Sequence, residues 1–268
     1  MFHNPIVQDN IEKLKHYGYE IVEPAHGMLA NGDMGDGRMP DEELLFEYIV
    51  KEIAFEKDMT GKKVLVTAGA TVEAIDPVRF ITNHSSGKMG FALAKNAMLR
   101  GAEVTLVMGK CDSEPPVFAN TVKVQSAKDM YDAVIERADS MDIIVKAAAV
   151  ADYRPKNVSS EKVKKQDGNM SIELERTDDI LKTLGERKNG QFICGFSMET
   201  ENMLENSRKK LEKKNCDMIV ANNLKQDGAG FGGNTNIVTL ITKDDEVQLE
   251  KMTKDEVAEK IFDFILSR

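Results

Sequence analysis

Apolar and polar residues alternate along most of this chain in two rhythms. Short runs rich in aliphatic and β-branched residues, near 63–67, 103–108, 142–146, 191–196 and 217–221, have the length and composition of strands buried on both faces of a sheet. Between them lie amphipathic stretches near 86–100, 127–139, 178–187 and 201–214; in the first, Phe91, Leu93, Ala94, Ala97 and Met98 recur at helical spacing. Strand and helix taking turns in this way predict βαβ units: a Rossmann-like α/β fold, its sheet mostly parallel with helices on both faces. Two more apolar runs, at 236–242 and 246–249, are joined by a polar turn at Lys243 to Glu246. A connection that short forces antiparallel pairing, so the sheet is expected to end in a hairpin ahead of a last amphipathic helix at about 253–266. There is no internal repeat and no low-complexity tract.

Residues 1–60 differ in character from the rest of the chain. A short helix is expected at Asn10 to Tyr17, a short strand at Tyr19 to Val22, a Gly- and Asp-rich loop at Ala30 to Met39 and a helix at 41–56. The natural division is an appendage of residues 1–60 and an α/β domain of residues 61–268, within reach of a 268-residue chain that is 41% hydrophobic and 30% charged. Thirty-six basic against 45 acidic residues give a net charge of −9, which argues against a nucleic-acid or anionic-membrane surface. Any phosphate site must then be a local basic patch. No apolar stretch approaches the roughly 18–20 residues of a membrane span and no signal-peptide pattern opens the chain, so a cytoplasmic location is expected. Cys111, Cys194 and Cys216 are odd in number and lack metal spacing, which suits reduced structural thiols.

The densest chemistry lies at 63–90, where a strand opens into a long polar loop that closes on a helix start at Gly87 and Gly90. Backbone N–H groups at a helix start lack intrahelical acceptors, and the macrodipole favours an anion there. A dinucleotide fingerprint would join strand to helix in about six residues. Here Gly69 and Gly87 are separated by a segment carrying Glu73, Asp76, Arg79, Asn83, His84 and Ser85, which points to a loop that also handles substrate. Arg79 offers a planar fork for phosphate or carboxylate, and Asn83 a neutral side chain able to bind an acyl phosphate without acting as acid or base. His84 beside two serines suits capping or packing more than base catalysis, and Ser85, Ser86 and Lys88 could add donors.

Further along, Lys146 to Tyr153 runs from a strand end through three alanines to Asp152. Small side chains there would let a ligand lie on the backbone, although packing explains them equally well. The lysines of 161–165 suit a solvated face or a mobile phosphate contact. Lys210 and Lys214 stand one turn apart on one helix face, a repulsive pair unless a polyanion lies between them. Phe196 at a strand end could pack on a base or in the core. Thr177 is expected to cap the helix that follows it. Asn222, Asn223, the Gly-rich loop at 228–233, Asn234 and Asn236 form a polar connection suited to shaping a pocket or a turn.

Taken in order, DPVRFITNHSSGKMG at 76–90, KAAAVADYRP at 146–155, EKVKK at 161–165 and GFSMET at 195–200 resemble bacterial phosphopantothenoylcysteine synthetase, from about residue 61 to the end of the chain. That family is the second half of a bifunctional protein whose first half is a flavin-dependent decarboxylase. The resemblance implies ligation of 4′-phosphopantothenate to L-cysteine with CTP and Mg²⁺, through an acyl-cytidylate, by a homodimer whose sites are completed across the interface; the 70–84 loop is the expected crossing segment. It implies that Asn83 stabilises the intermediate, that Lys162 on a flap contacts the nucleotide phosphates, and that Lys210 and Lys214 bind the triphosphate. It further implies nucleotide contacts from Ala148, Asp152, Phe196 and the turn Asp178, Asp179, Ile180 and Leu181, with Asp178 standing where many relatives have proline. Arg79 joins Asn83 and Lys162 as a candidate for chemistry, and no protein ligand of the metal is identified. Residues 1–60 resemble the end of the decarboxylase domain, with Asn31 at the position of its reactive cysteine and the upstream histidine and flavin-contacting segments missing. Decarboxylation is therefore not expected, nor is FMN. Two other classes fit the same pattern less well: an NAD-dependent reductase, which would want a compact glycine turn, and a non-catalytic nucleotide-binding regulatory subunit.

Overall fold

The computed structural model describes residues 1–164, 169–199, 202–223 and 232–268 and divides into two compact units, 1–56 and 57–268. In the first, α1 (Pro5–His16) is capped by the Asn4 side chain on the Ile6 N–H, and β1 (Ala25–Met28) pairs antiparallel with β2 (Met34–Arg38) before α2 (Glu42–Ile53). The 30–39 stretch is thus largely a hairpin, turned at Gly32 with φ +87°. Residues 19–22 form no strand, because β-branched residues without a partner strand have nothing to complete their hydrogen bonding.

The second unit opens with β3 (Lys63–Ala68), whose central residues are fully buried. Between it and α3 (Lys88–Leu99) the long loop carries a hairpin of its own, β4 (Val72–Ala74) against β5 (Phe80–Thr82). Then come β6 (Glu103–Met108), β7 (Asn120–Lys123), α4 (Ala127–Ala138) and β8 (Ile143–Lys146). A second small hairpin, β9 (Tyr153–Pro155) with β10 (Leu174–Arg176), precedes α5 (Ile180–Glu186), β11 (Phe192–Glu199), α6 (Met203–Lys213) and β12 (Met218–Asn223). The chain ends with β13 (Thr235–Asn236), β14 (Val238–Ile241), β15 (Glu246–Gln248), β16 (Met252–Thr253) and α7 (Lys254–Leu266). The main sheet has the order β15-β14-β12-β11-β8-β3-β6-β7, parallel from β12 to β7 and antiparallel at the β14–β15 end. The α/β class and the terminal hairpin are those expected from the sequence.

The strand order places the site. From β3 the chain crosses to β6 on one side, and from β8 it crosses to β11 on the other, so adjacent β3 and β8 form a topological switch point with a crevice beyond their C-terminal ends. On one face α3 packs against α7; on the other, Met130 and Val134 of α4, Ile180 and Leu184 of α5 and Leu211 of α6 share a core with Leu65, Ile144 and Ile219 of the sheet.

Candidate active site

Two clefts meet at the switch point. The larger, about 410 Å³, lies over the α5–α6 side and is lined by Lys146, Asp152, Asp178, Asp179, Lys210 and Lys214 among others. The smaller, about 240 Å³, runs across Ala147 to Val150 to the start of α3 and includes Phe196. Lys146, Val150, Asp152 and Lys210 line both.

The glycines explain why this crevice can form. Gly87 caps α3 with φ +79°, and Gly69 ends β3 with φ +76°. A Cβ built on Gly87 would lie 3.6 Å from the Gly69 Cα, so two glycines 18 residues apart in sequence touch in space. A Cβ on Gly90 would come within 2.5 Å of the Ala68 Cβ, which requires glycine where helix meets strand. The three positions do the work of a dinucleotide turn, but the β4–β5 hairpin is inserted between the first and second. A pattern search over a short window has no access to that arrangement.

Asn83 follows β5, is exposed, and donates its amide to the carbonyls of Val150 at 3.2 Å and Ala149 at 3.4 Å. It therefore sits against the strand end that floors the smaller cleft. Ala149 itself is held by its N–H to the Gly69 carbonyl at 2.8 Å, and Ala148 by its N–H to the Thr67 hydroxyl at 3.0 Å. Ala148 is buried and lines the cleft, so its small side chain serves packing and ligand access together.

The basic side chains converge from different elements. Lys210 of α6 donates to the Phe196 carbonyl at 2.8 Å, while Lys214 pairs with Asp179. Asp179, not Thr177, caps α5: its carboxylate accepts the Lys182 N–H at 2.9 Å, whereas the Thr177 hydroxyl donates to the Ala151 carbonyl at 2.6 Å. The carboxylate wins the cap because it is one residue before the first helical turn and carries the negative charge the helix N-terminus favours. Ile180 and Leu181 are buried and belong to the core as well as to the wall of the larger cleft. Asp152 is exposed and its carbonyl accepts the Thr177 N–H at 3.0 Å, tying the segment between β8 and β9 to the α5 turn.

Lys146 was not singled out from the sequence. It ends β8, is half-buried, and lies where the two clefts join. Burial, and then the charge of Lys210, pull its pKa down to about 8 against the opposing pull of Asp179 and Asp152, with Lys214 adding to the lowering. The signal was present in the run Ile143 to Lys146: a cation closing an otherwise apolar central strand has nowhere to point but the crevice.

Arg79 and Lys162 stand apart from the residues lining either cleft. The Arg79 guanidinium is engaged by buried Asp76, with Nε at 3.0 Å and Nη2 at 2.5 Å, and by the Val163 carbonyl at 2.9 Å. Asp76 also accepts the N–H groups of Val78, Arg79 and Val163, and the Arg79 contact above all holds its carboxyl far below the usual range. Arg79 thus uses its fork on a carboxylate of its own chain, and the pair anchors the exposed segment that carries Lys162. Lys165, Thr200 and residues 228–231 of the Gly-rich loop lie outside the described residues. His84 is exposed and lines neither cleft. The three cysteines are free, and burial pushes Cys216 up to about 12, so none is poised as a thiolate.

Comparison with known proteins agrees with this fold. Residues 59–268 match the family described as DNA/pantothenate metabolism flavoprotein C-terminal domain, and residues 1–54 match the family described as Flavoprotein. The coenzyme A biosynthesis bifunctional protein CoaBC of Bacillus subtilis (strain 168) is 49% identical over 247 residues, which cover 91% of this chain and 61% of that protein. The chain therefore spans about three fifths of that relative's length. A cysteine/cysteine sulfinic acid decarboxylase from an unknown prokaryotic organism is 43% identical over 274 residues, covering 100% of this chain and 76% of that one. The crystal structure of the C-terminal domain of a coenzyme A biosynthesis bifunctional protein CoaBC superposes with a TM-score of 0.68 at 48% identity, over 79% of this chain and 97% of that one.

Proposed function

The chain belongs to the DNA/pantothenate metabolism flavoprotein C-terminal domain family, and from that premise we propose that it ligates 4′-phosphopantothenate to L-cysteine, driven by CTP, in coenzyme A biosynthesis. The observation that carries this reading is the convergence of Lys146, Lys210 and Lys214 at the switch point, with Asn83 set against the same strand end.

A carboxylate resists attack because its leaving group would be oxide. In the proposed reaction its oxygen attacks the α-phosphorus of CTP, the bond to the bridging oxygen breaks, and pyrophosphate leaves. The cysteine amine then attacks the acyl carbon, CMP departs, and the ammonium proton passes to solvent. Neither step requires a protein nucleophile, which fits two clefts whose lining residues include no cysteine. Lys146, Lys210 and Lys214 hold the polyphosphate, the Ala147–Val150 backbone and Phe196 receive the nucleoside, and Asn83 orients the acyl phosphate without exchanging a proton with it. Lys162 lies on the segment anchored by Asp76 and Arg79 and closes over the phosphates from there. Magnesium suits this donor set when carried by the triphosphate oxygens, because no group of three His, Cys, Asp or Glu side chains able to hold a metal occurs among the described residues. When bound, it would neutralise phosphate charge.

Residues 1–56 correspond in this reading to the C-terminal part of a decarboxylase domain, and neither decarboxylation nor FMN binding is proposed for them. Asn31, where the resemblance places a reactive thiol, lies in the turn of the β1–β2 hairpin with its amide donating to Asp33 at 2.6 Å. A homodimer is proposed, with the β4–β5 hairpin as the crossing segment.

The test is pyrophosphate and CMP release by the full chain with CTP, Mg²⁺ and 4′-phosphopantothenate, with and without cysteine. Cysteine-dependent turnover is expected, with a loss of roughly 10²-fold or more in Asn83→Ala, the magnitude of removing a preorganised donor. Nucleotide binding without turnover would instead identify a regulatory subunit.

A further inference from the structure

Two threonines line neither cleft, yet each holds part of the floor of the smaller one. Thr67 of β3 and Thr71, just before β4, are fully buried. The Thr67 hydroxyl accepts the Ala148 N–H at 3.0 Å, and the Thr71 hydroxyl accepts the Ala151 N–H at 3.0 Å. Thr71 makes two more contacts: its N–H donates to the Ala149 carbonyl at 3.3 Å, and its carbonyl accepts the Thr82 hydroxyl at 2.7 Å. Asn83 follows Thr82 directly and donates its amide to the Ala149 and Val150 carbonyls. Thr71 therefore holds both sides of the junction on which Asn83 sits, the 149–151 backbone and the end of β5.

Where the chain leaves β8 its ladder ends, and a buried N–H without an acceptor costs as much as a lost hydrogen bond. Valine would suit the run Lys63 to Ala68 on hydrophobicity alone, with Val64 and Val66 already in it, so the hydroxyl at 67 is explained by the N–H it accepts. The buried hydroxyl at 71 answers the same need at Ala151. A branched side chain is stiff about its first torsion, so each threonine keeps its oxygen in one place. The two differ in what they support. Thr67 supports Ala148, which lines the cleft, whereas Thr71 supports the segment that Asn83 itself grips.

We propose that Thr71 is a positioning residue for Asn83: together with Thr82 it fixes the amide against the Ala149 and Val150 carbonyls, while Thr67 sets only the floor at Ala148. What Asn83 does to a reacting group rests on the ligase reading above; its placement by Thr71 rests on the contacts alone. A displacement of about 1 Å in a group that orients a reaction can cost on the order of 10²-fold in rate. A buried residue that touches no substrate is then felt in kcat.

Kinetics of the full chain divide the two threonines. Thr71→Val keeps the shape and removes the hydroxyl; it is expected to lower kcat by about tenfold to a hundredfold while the KM for CTP changes by less than about twofold. Thr67→Val is expected to raise the KM for CTP by about tenfold with little change in kcat. Thr71→Ser, which keeps the hydroxyl, should restore most of the rate. The Asn83 side-chain amide signal in an NMR spectrum, assigned by its loss in Asn83→Ala, is expected to move in Thr71→Val and to return in Thr71→Ser. Should Thr71→Val fail to fold, Thr82→Val at a half-buried position removes the bond to the Thr71 carbonyl and is expected to lower kcat and move the same signal. An Asn83 signal that stays in place, a serine variant as slow as the valine, or a loss confined to the KM for CTP would overturn the proposal. A wild type without cysteine-dependent turnover would overturn the ligase reading, and the Asn83 signal would still decide whether Thr71 positions it.

Discussion

Lys146 shows how a single side chain acquires chemistry from its surroundings. Its ordinary value of 10.5 falls to about 8 because burial and Lys210 disfavour the ammonium. Between those values the unfolded chain holds a proton here that the folded chain has released, so its contribution makes stability rise with pH over that window. A bound polyphosphate favours the ammonium and should reverse the shift. CTP binding measured at about pH 8.5 in buffers of different ionisation heat is expected to show proton uptake that Lys146→Met abolishes, with affinity lowered by about tenfold or more. Binding with no uptake would mean that Lys146 stays charged in the free protein. Asn83 and Lys210 were singled out in the sequence and lie at the crevice; Lys146 was missed because its place there depends on which strand end it occupies.

Among the elements, the 70–84 segment is the clearest case of local pattern yielding to tertiary contact. Its polar residues predict a loop, yet Val72–Ala74 and Phe80–Thr82 pair across a turn that buried Asp76 organises by accepting the N–H groups of Val78 and Arg79. The same carboxylate reaches Val163, so one residue couples the hairpin to the segment bearing Lys162. Asp76→Asn is expected to lower the Tm, speed proteolysis between residues 156 and 164, and raise the KM for CTP several-fold. The depressed carboxyl contributes stability above the unfolded carboxylate value of about 3.9 and loses it as pH falls through its own lower value, so the variant should show weaker acid sensitivity. Unchanged proteolysis would separate Asp76 from the Lys162 segment. The strands Asn120–Lys123, Tyr153–Pro155 and Leu174–Arg176 were also unread, because runs of three or four residues carry too little periodicity to be told from loop.

For the molecule as a whole, the proposed dimer is open to a direct test. Val78 and Phe80 on the β4–β5 hairpin are 57% and 47% exposed, an apolar tip that an isolated hairpin has no reason to keep. Sedimentation is expected to give a dimer for the wild type and a shift toward monomer for Phe80→Glu, with turnover falling in step. A monomeric wild type with full activity would remove the dimer from the mechanism. Among the described residues no helix is long and apolar enough to cross a membrane.

The periodicity of apolar residues was enough to establish a mostly parallel α/β sheet ending in a hairpin, because burial of a two-faced strand or a one-faced helix leaves its mark on every few positions. The ordered motifs around Asn83, Asp152 and Lys210 likewise carried the family resemblance, since residue type and order are properties of the sequence alone. Which of those residues share one crevice was a matter of long-range geometry. The meeting of Gly69 with Gly87, the reach of Asp76 and Arg79 to Val163, the pairing of Lys214 with Asp179 and the hydrogen bond from Lys88 to Asn234 depend on strand order and helix packing. Those contacts join positions up to 146 residues apart, from Lys88 to Asn234, and no local pattern encodes a distance that is set when the sheet closes.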